Sequence, residues 1–243
     1  MTRVLNFINK TEIRKYHIQG IDFELEVNSQ IFPPSPHGAF FAENIKINKG
    51  DKVIDVGSGS GILGILSAKL GGIVWATDTD EDAIDITLKN ARNNKVEINA
   101  KVGEYFKPFE EEKFDVIIAN LPQEIVHESY QKSIGDKLNK TISGGDDGNE
   151  QLLKMLDIAK NYMHEKSRLY IIVNTVTDYA TTIKKIVSKY STKLVDFSSE
   201  PTKEFVAGNI DWYLKLNQLG KIKIINKDGV WRADEYLFEL SLK

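Results

Sequence analysis

Three closely spaced glycines separate a short apolar segment from a segment with helical periodicity, and this feature constrains the fold more than any other. The apolar residues Val53–Val56 predict a buried strand, and the residues from Ile62 onward carry apolar side chains at helical spacing. Between them lie Gly57, Gly59 and Gly61, which we call the glycine turn. Glycine permits a tight turn and lets a ligand approach the backbone, and a helix N-terminus adds free N–H groups. The sequence therefore predicts a ligand at this strand end.

From about residue 51 the chain alternates short apolar segments with amphipathic ones, which predicts βαβ units around a mostly parallel sheet. The predicted strands are Val53–Val56, Ile73–Thr77, Ile98–Val102, Phe114–Ala119 and Leu169–Val173. The predicted helices have apolar faces that begin at Ile62, Ile84, Leu152 and Ile183. At the end of the chain, three extended segments and a turn predict a closing antiparallel hairpin: Lys193–Phe197, Lys221–Asn226, Tyr236–Leu242 and Asp228-Gly229.

The first 48 residues have a different pattern, and we place a domain boundary between residues 48 and 49. Alternating apolar and polar residues on both sides of Gly20, within Tyr16–Val27, predict a hairpin with one solvated face. The segment Ile31–Phe41 contains three prolines and three phenylalanines, and its prolines disfavour both a helix and a central strand.

Composition excludes several classes of site and partner. The 243 residues include no cysteine, which excludes disulfides, zinc–thiolate sites and a cysteine nucleophile. The formal net charge of −3 argues against nucleic acid as a partner. No apolar segment approaches the ~18 residues of a membrane helix, and the first residues lack the apolar region of a signal peptide. A cytoplasmic location without a metal centre is expected, and the oligomeric state is left open.

Asp78 follows the next predicted strand, where a carboxylate can accept hydrogen bonds from both hydroxyls of a ribose. Its alternative role is to cap the following helix, although Asp80 is better placed for that. Asp78, Asp80 and Asp82 imitate a calcium loop, but Ala83 and Lys89 stand where such a loop needs Gly and Glu, which excludes calcium.

The segment Asp55-Val56-Gly57-Ser58-Gly59-Ser60-Gly61, with Asp78 after the next strand, resembles the class I S-adenosylmethionine (SAM)-dependent methyltransferases. The resemblance implies an α/β, Rossmann-like fold with a mostly parallel seven-stranded sheet and a terminal antiparallel hairpin, formed by residues 49–243. It also implies SAM as the cofactor, with its methionine part against the glycine turn and its ribose on Asp78. The implied cofactor-binding residues are Asp55, Gly57, Ser58, Gly59, Gly61, Ile62, Asp78, Thr79, Glu104, Tyr105 and Asn120.

The turn Asn120-Leu121-Pro122-Gln123 resembles the Asn-Pro-Pro-Tyr-type motif of methyltransferases that act on amide or amine nitrogen. In that motif, the Asn side chain and a backbone carbonyl accept hydrogen bonds from the substrate NH₂ and align it for in-line transfer. The resemblance makes Asn120, Pro122 and Gln123 the candidate catalytic residues. Leu121 replaces the first Pro and Gln123 replaces the aromatic residue, and the alternative is a plain strand-ending turn.

Three further segments are similar to the release-factor glutamine methyltransferase group: Gly103–Phe106, Ser143–Gly148 and Phe32–His37. The long helical N-terminal domain of that group has no counterpart in the roughly fifty residues before the glycine turn. Phe32, His37, Phe40 and Phe41 are candidates for a substrate-binding or lid segment within residues 1–48, or else they pack in the core.

The leading hypothesis is transfer of a methyl group to an amide or amine nitrogen of a small polar molecule or a protein side chain, with S- or O-methylation still open. One alternative is a nicotinamide-dependent oxidoreductase, because Gly59, Gly61 and Gly64 also satisfy the dinucleotide pattern G-x-G-x-x-G. The other is a SAM-binding partner subunit without catalytic activity.

Overall fold

The computed structural model describes residues 11–27 and 36–243. Its strands, in chain order, are β1 (Glu12–Ile18), β2 (Ile21–Val27), β3 (Lys52–Val56), β4 (Ile73–Asp78), β5 (Ile98–Val102), β6 (Val116–Ala119), β7 (Arg168–Asn174), β8 (Ser191–Pro201), β9 (Ile224–Lys227) and β10 (Val230–Ser241). Its α-helices are α1 (Pro36–Asn44), α2 (Ile62–Lys69), α3 (Glu81–Asn93), α4 (Glu128–Ile142), α5 (Glu150–Ala159), α6 (Tyr179–Lys189), α7 (Glu204–Ala207) and α8 (Ile210–Gln218). Each of the predicted strands and helices is present.

The chain divides into two compact units, and the described residues up to Asn120, Ala159–Tyr170 and Leu242 belong to the first. Within it, β5, β4, β3 and β6 lie side by side in that order, and every pair is parallel. The two central strands, β3 and β6, are apolar and buried over most of their length, which is typical of a parallel sheet covered on both faces, whereas β5 is largely exposed. The predicted parallel α/β architecture is confirmed.

The N-terminal hairpin, β1 and β2, belongs to the first unit, and its predicted position is confirmed. Ile18 pairs with Ile21, and the two residues between them, Gln19 and Gly20, both have positive φ (51° and 75°). Two central residues with positive φ form the type of turn whose twist matches that of antiparallel strands. The domain boundary at residues 48–49 stays a prediction.

The structure corrects one expectation for the proline-rich segment. Helix formation was expected to be disfavoured throughout Ile31–Phe41, but α1 begins at Pro36 and continues to Asn44. A proline in the first helical turn costs little, because the N–H that it lacks would have no partner inside the helix. Residues 31–35, and with them Phe32, lie outside the described residues.

The second unit contains residues 121–158, 171–241 and Lys243. Here β10 pairs antiparallel with both β8 and β9, and Asp228 and Gly229 join β9 to β10 with positive φ at both residues, which confirms the predicted hairpin. There are eight strands from β3 to β10, one more than the expected seven, and the additional strand is the short β9. Helices α4, α7 and α8 were not predicted. In the part of the chain that the structure describes, no helix has the length and hydropathy to span a membrane.

Candidate active site

The register of the parallel strands brings the predicted residues of the first unit to one edge of the sheet. Val56, the last residue of β3, pairs with Thr77 of β4 on one side and Ala119 of β6 on the other. The residues that directly follow these three are therefore also neighbours at this edge of the sheet. They form a row in the order Asn120, Gly57, Asp78. Neighbouring strands are about 4.8 Å apart, so Asn120 and Asp78 stand on opposite sides of the glycine turn.

The backbone of the glycine turn has a conformation that disfavours side chains. Gly57, Gly59 and Gly61 have φ of 77°, 54° and 85°. The N–H groups of Gly57 and Ser58 both donate to the carbonyl oxygen of Thr77, at 2.8 and 3.0 Å. A Cβ at Gly59 would meet no atom within 4 Å. The backbone at Gly59 thus faces open space, which fits the approach of a ligand to a bare main chain, so the residues present fit SAM.

Asp55 lies under the glycine turn and is fully buried. One carboxylate oxygen accepts a hydrogen bond from the N–H of Gly64 at 2.9 Å, in the first turns of α2. Burial raises the pKa of Asp55 to about 7, although the Gly64 hydrogen bond opposes this and the charge of Asp78 adds to it. Ser58 and Ile62 are also buried. Asp55 therefore links β3 to α2 through this hydrogen bond, beneath the glycine turn.

Asp78 is half-buried and ties the glycine turn to the end of β4. Its two oxygens accept from the N–H of Gly59 and the N–H of Asp80, both at 3.0 Å. Desolvation by burial raises its pKa, and these backbone hydrogen bonds act in the opposite direction. The cap of α3 is Asp80, whose side chain accepts from the N–H of Asp82, so the capping alternative for Asp78 is wrong. Asp78 remains available as an acceptor at the sheet edge.

The segment after β5 is fixed by a buried hydroxyl of β4. Thr77 Oγ1 donates to the carbonyl oxygen of Tyr105 at 2.6 Å, and Tyr105 has a φ of 51°, which is rare for a residue with a side chain. Glu104 is exposed and pairs with Lys107 at 2.7 Å. Thr79, the residue after β4, is exposed. Sequence reasoning missed Thr77, although a polar residue in an apolar strand was a visible signal.

Asn120 is half-buried, and its side-chain amide makes no hydrogen bond to any described residue. The N-terminal end of α1 is close to it, because a Cβ at Gly38 would lie 3.8 Å from Asn120 Nδ2. Of the candidate substrate residues on α1, His37 and Phe40 are half-buried, while Phe41 is completely buried, as the core-packing alternative describes. Asn120 therefore offers an amide for hydrogen bonding to a ligand, at one end of the row that it forms with Gly57 and Asp78.

Pro122 and Gln123 belong to the second unit, where Gln123 is buried and Pro122 is half-buried. Gln123 Oε1 accepts from the N–H of Asn174 at 3.3 Å, and its Nε2 has no hydrogen-bond partner among the described residues. The turn that contains Gly144 and Gly148 packs directly on this segment: a Cβ at Gly144 would lie 2.9 Å from the Cα of Gln123. The glycines there are required by close backbone packing.

Comparison with known proteins gives one family match in sequence. The profile of the ribosomal protein L11 methyltransferase (PrmA) family matches residues 40–141. A protein of Methanocaldococcus jannaschii, assigned provisionally as a protein N5-glutamine methyltransferase, is 28% identical over 170 residues, which cover 70% of this chain and 84% of that protein. The ribosomal protein L11 methyltransferase of Campylobacter concisus is 44% identical over 96 residues, 40% of this chain but only 32% of the relative.

Solved structures show the same fold. The T. thermophilus 16S rRNA N2 G1207 methyltransferase, in complex with AdoMet and guanosine, matches with a TM-score of 0.59 and 14% identity, over 96% of this chain and 50% of its own. The M. jannaschii tRNA m1G37 methyltransferase matches with a TM-score of 0.55 and 15% identity, over 95% of this chain and 57% of its own. At these identities, the likeness concerns the fold alone.

Proposed function

Because this chain is a class I SAM-dependent methyltransferase, we propose that it transfers the methyl group of SAM to a nitrogen of an amide or amine, with Asn120 positioning that nitrogen. The observation that carries the proposal is the placement of Asn120, whose side-chain amide has no hydrogen-bond partner among the described residues and stands one strand away from the glycine turn. The amide oxygen of an asparagine is an acceptor that can receive a hydrogen bond from a substrate N–H.

The residues of the first unit divide between cofactor and substrate in this proposal. The backbone of the glycine turn, with Asp55 and Ile62 behind it, would hold SAM, and Asp78 would accept from its ribose hydroxyls. The other predicted cofactor-binding residues are Ser58, Thr79, Glu104 and Tyr105. When bound, SAM supplies an electrophilic methyl group on a sulfonium.

The catalytic contribution of the chain is alignment. The amide oxygen of Asn120 would accept one hydrogen of the acceptor NH₂ and fix the direction of its lone pair, which is what in-line displacement needs. Since the nitrogen can lose its proton after the methyl has arrived, no strong base is required. Pro122 and Gln123 stay predicted catalytic residues. His37 and Phe40 are proposed to line the acceptor side.

A protein side chain is the favoured acceptor. The relative matched over 84% of its own length is assigned to protein glutamine, and the family profile is also named for methylation of a protein. The acidic charge balance supports this choice over RNA. A small polar molecule with an amide or amine would present the same N–H groups and is the second class to test.

The test is to offer methyl-labelled SAM with a cell extract separated into protein, RNA and small-molecule fractions. Label in the protein fraction, in a form stable to mild base and located on nitrogen by mass spectrometry of digests, supports the proposal. Label confined to RNA, or methyl groups on oxygen or sulfur, contradicts it.

Two variants separate positioning from cofactor binding. Asn120→Ala should lower the turnover number by about 10²-fold or more, because misalignment is costly, and should change the dissociation constant of SAM by less than threefold. Asn93→Ala, which alters an exposed asparagine at the end of α3, is the matched control and should be unaffected in both. Full activity in Asn120→Ala would contradict the positioning role.

A further inference from the structure

Two asparagines, Asn90 on α3 and Asn94 at the C-cap of this helix, bind β2 of the N-terminal hairpin in the way that a neighbouring strand would. Asn90 Oδ1 accepts from the N–H of Glu26 at 2.8 Å, and Asn90 Nδ2 donates to the carbonyl oxygen of the same residue at 3.0 Å. Asn94 makes the same two bonds to Glu24, at 3.2 and 2.6 Å. Positions i and i+4 of a helix are about 6 Å apart along its axis, and positions i and i+2 of a strand about 6.8 Å, so the two spacings match.

Asn90 also touches the glycine turn, and this contact distinguishes it from Asn94. Its Nδ2 donates to the carbonyl oxygen of Ser60 at 3.0 Å, in addition to its bond to the hairpin. The third bond of Asn94 goes instead to the carbonyl oxygen of Asn90, in the last turn of α3. Asn90 is completely buried, with no exposed surface. One side chain therefore connects the hairpin to the glycine turn, the proposed SAM-binding loop.

Further contacts restrain both parts that Asn90 connects, the glycine turn and the hairpin. One turn earlier on α3, Thr87 Oγ1 donates to the carbonyl oxygen of Gly59 at 3.1 Å. On the hairpin side, Lys89 pairs with the largely buried carboxylate of Glu26 at 2.7 Å. At the hairpin turn, Gln19 Nε2 donates to the carbonyl oxygen at the end of α1 (Ala42, 2.7 Å). The hairpin is thus fixed at both ends within the first unit.

We infer that Asn90 is a positioning residue that couples docking of the N-terminal hairpin to SAM binding. By holding the carbonyl of Ser60, it keeps the N–H groups of the glycine turn in one orientation. A turn released from Asn90 populates other conformations, and the apparent dissociation constant for SAM rises by the inverse of the binding-competent fraction. By reciprocity, SAM bound to the turn stabilises the docked hairpin.

The variants Asn90→Leu and Asn94→Leu form a matched pair. Each removes one buried or nearly buried asparagine, two bonds to the hairpin and one further bond to a carbonyl, so the two should lose similar stability. Asn90→Leu should weaken SAM binding, measured by calorimetry at a temperature where both are folded, by about tenfold. Asn94→Leu should stay within about twofold of the unmodified protein. Equal effects on SAM binding, or none in Asn90→Leu, would overturn the inference.

Hydrogen exchange of the unmodified protein gives a second measurement, which is independent of how well the variants fold. Saturating SAM should slow exchange in the peptide that covers Ile21–Val27 at least about threefold, while peptides of β9 stay unchanged. An unaltered hairpin would contradict the coupling. Both measurements follow SAM binding alone, so they can fail or succeed independently of the proposed nitrogen acceptor.

Discussion

The raised pKa of Asp55 makes a specific prediction for the pH dependence of folding. In the folded protein the pKa is about 7, whereas the usual value for an unfolded chain is 3.8. The folded state therefore holds this proton more tightly than the unfolded state does. The resulting contribution to stability is fully present below about pH 4, declines as the pH rises, and is lost above about pH 7.

The magnitude follows from the separation of the two pKa values. A difference of about three pH units corresponds to about 4 kcal/mol. Asn at this position cannot ionise and keeps an oxygen that can accept from the N–H of Gly64. The free energy of unfolding of Asp55→Asn minus that of the unmodified protein should therefore increase by about 2–4 kcal/mol between pH 4.5 and pH 8.

Urea unfolding without SAM, at five pH values across this range, measures the difference directly, because other titrating groups cancel in the subtraction. Asp85→Asn, which alters an exposed carboxylate on α3, is the control, and its difference should stay within about 0.5 kcal/mol. Parallel pH profiles for Asp55→Asn and the unmodified protein would refute the reasoning, since they would mean that Asp55 titrates alike in both states.

Four further variants test other contacts. Asp78→Asn should weaken SAM binding by about 10–100-fold in calorimetry, because a charge-assisted hydrogen bond is lost; an unchanged affinity contradicts its ribose role. Gly144→Ala should lower the free energy of unfolding by more than about 2 kcal/mol, since its Cβ would lie 2.2 Å from a backbone oxygen, whereas Gly20→Ala, with open space around it, should cost only about 1 kcal/mol of backbone strain. Tyr213→Phe removes a buried hydroxyl that donates to the carbonyl oxygen of Ile125 at 2.8 Å, and thermal unfolding should show a loss of about 1–2 kcal/mol.

The parts of the site that the sequence predicts are those fixed by local chemistry. A strand, three glycines and a helix stand within twelve residues, and Asp78 needs only the end of the next strand to be placed. The parallel register then sets Asn120 and Asp78 on the two sides of Gly57. Local residue types thus determine the order of the groups along the sheet edge.

Other features depend on contacts between distant segments and leave no local signal. Asn90 and Asn94 read as ordinary polar positions on an amphipathic helix, and nothing nearby indicates that both bond to β2, more than sixty residues earlier. Helix α7 has only four residues, which is too short for a helical period to be recognised. Tyr213, buried on α8, bonds to the segment after Gln123 and so could not be assigned from its own surroundings.

The asparagine pairing of β2 also shields this edge of the hairpin from pairing with the backbone of another chain. A two-stranded hairpin has two open edges, and amides and carbonyls left along an edge can template strand addition by another chain. Here β1 fills one side of β2, and Asn90 and Asn94 occupy the amides and carbonyls of Glu24 and Glu26 on the other. These asparagine side chains block the edge of β2, as charged residues and prolines block strand edges in other sheets. A variant that lacks both asparagines should therefore form fibrillar or oligomeric aggregates on storage.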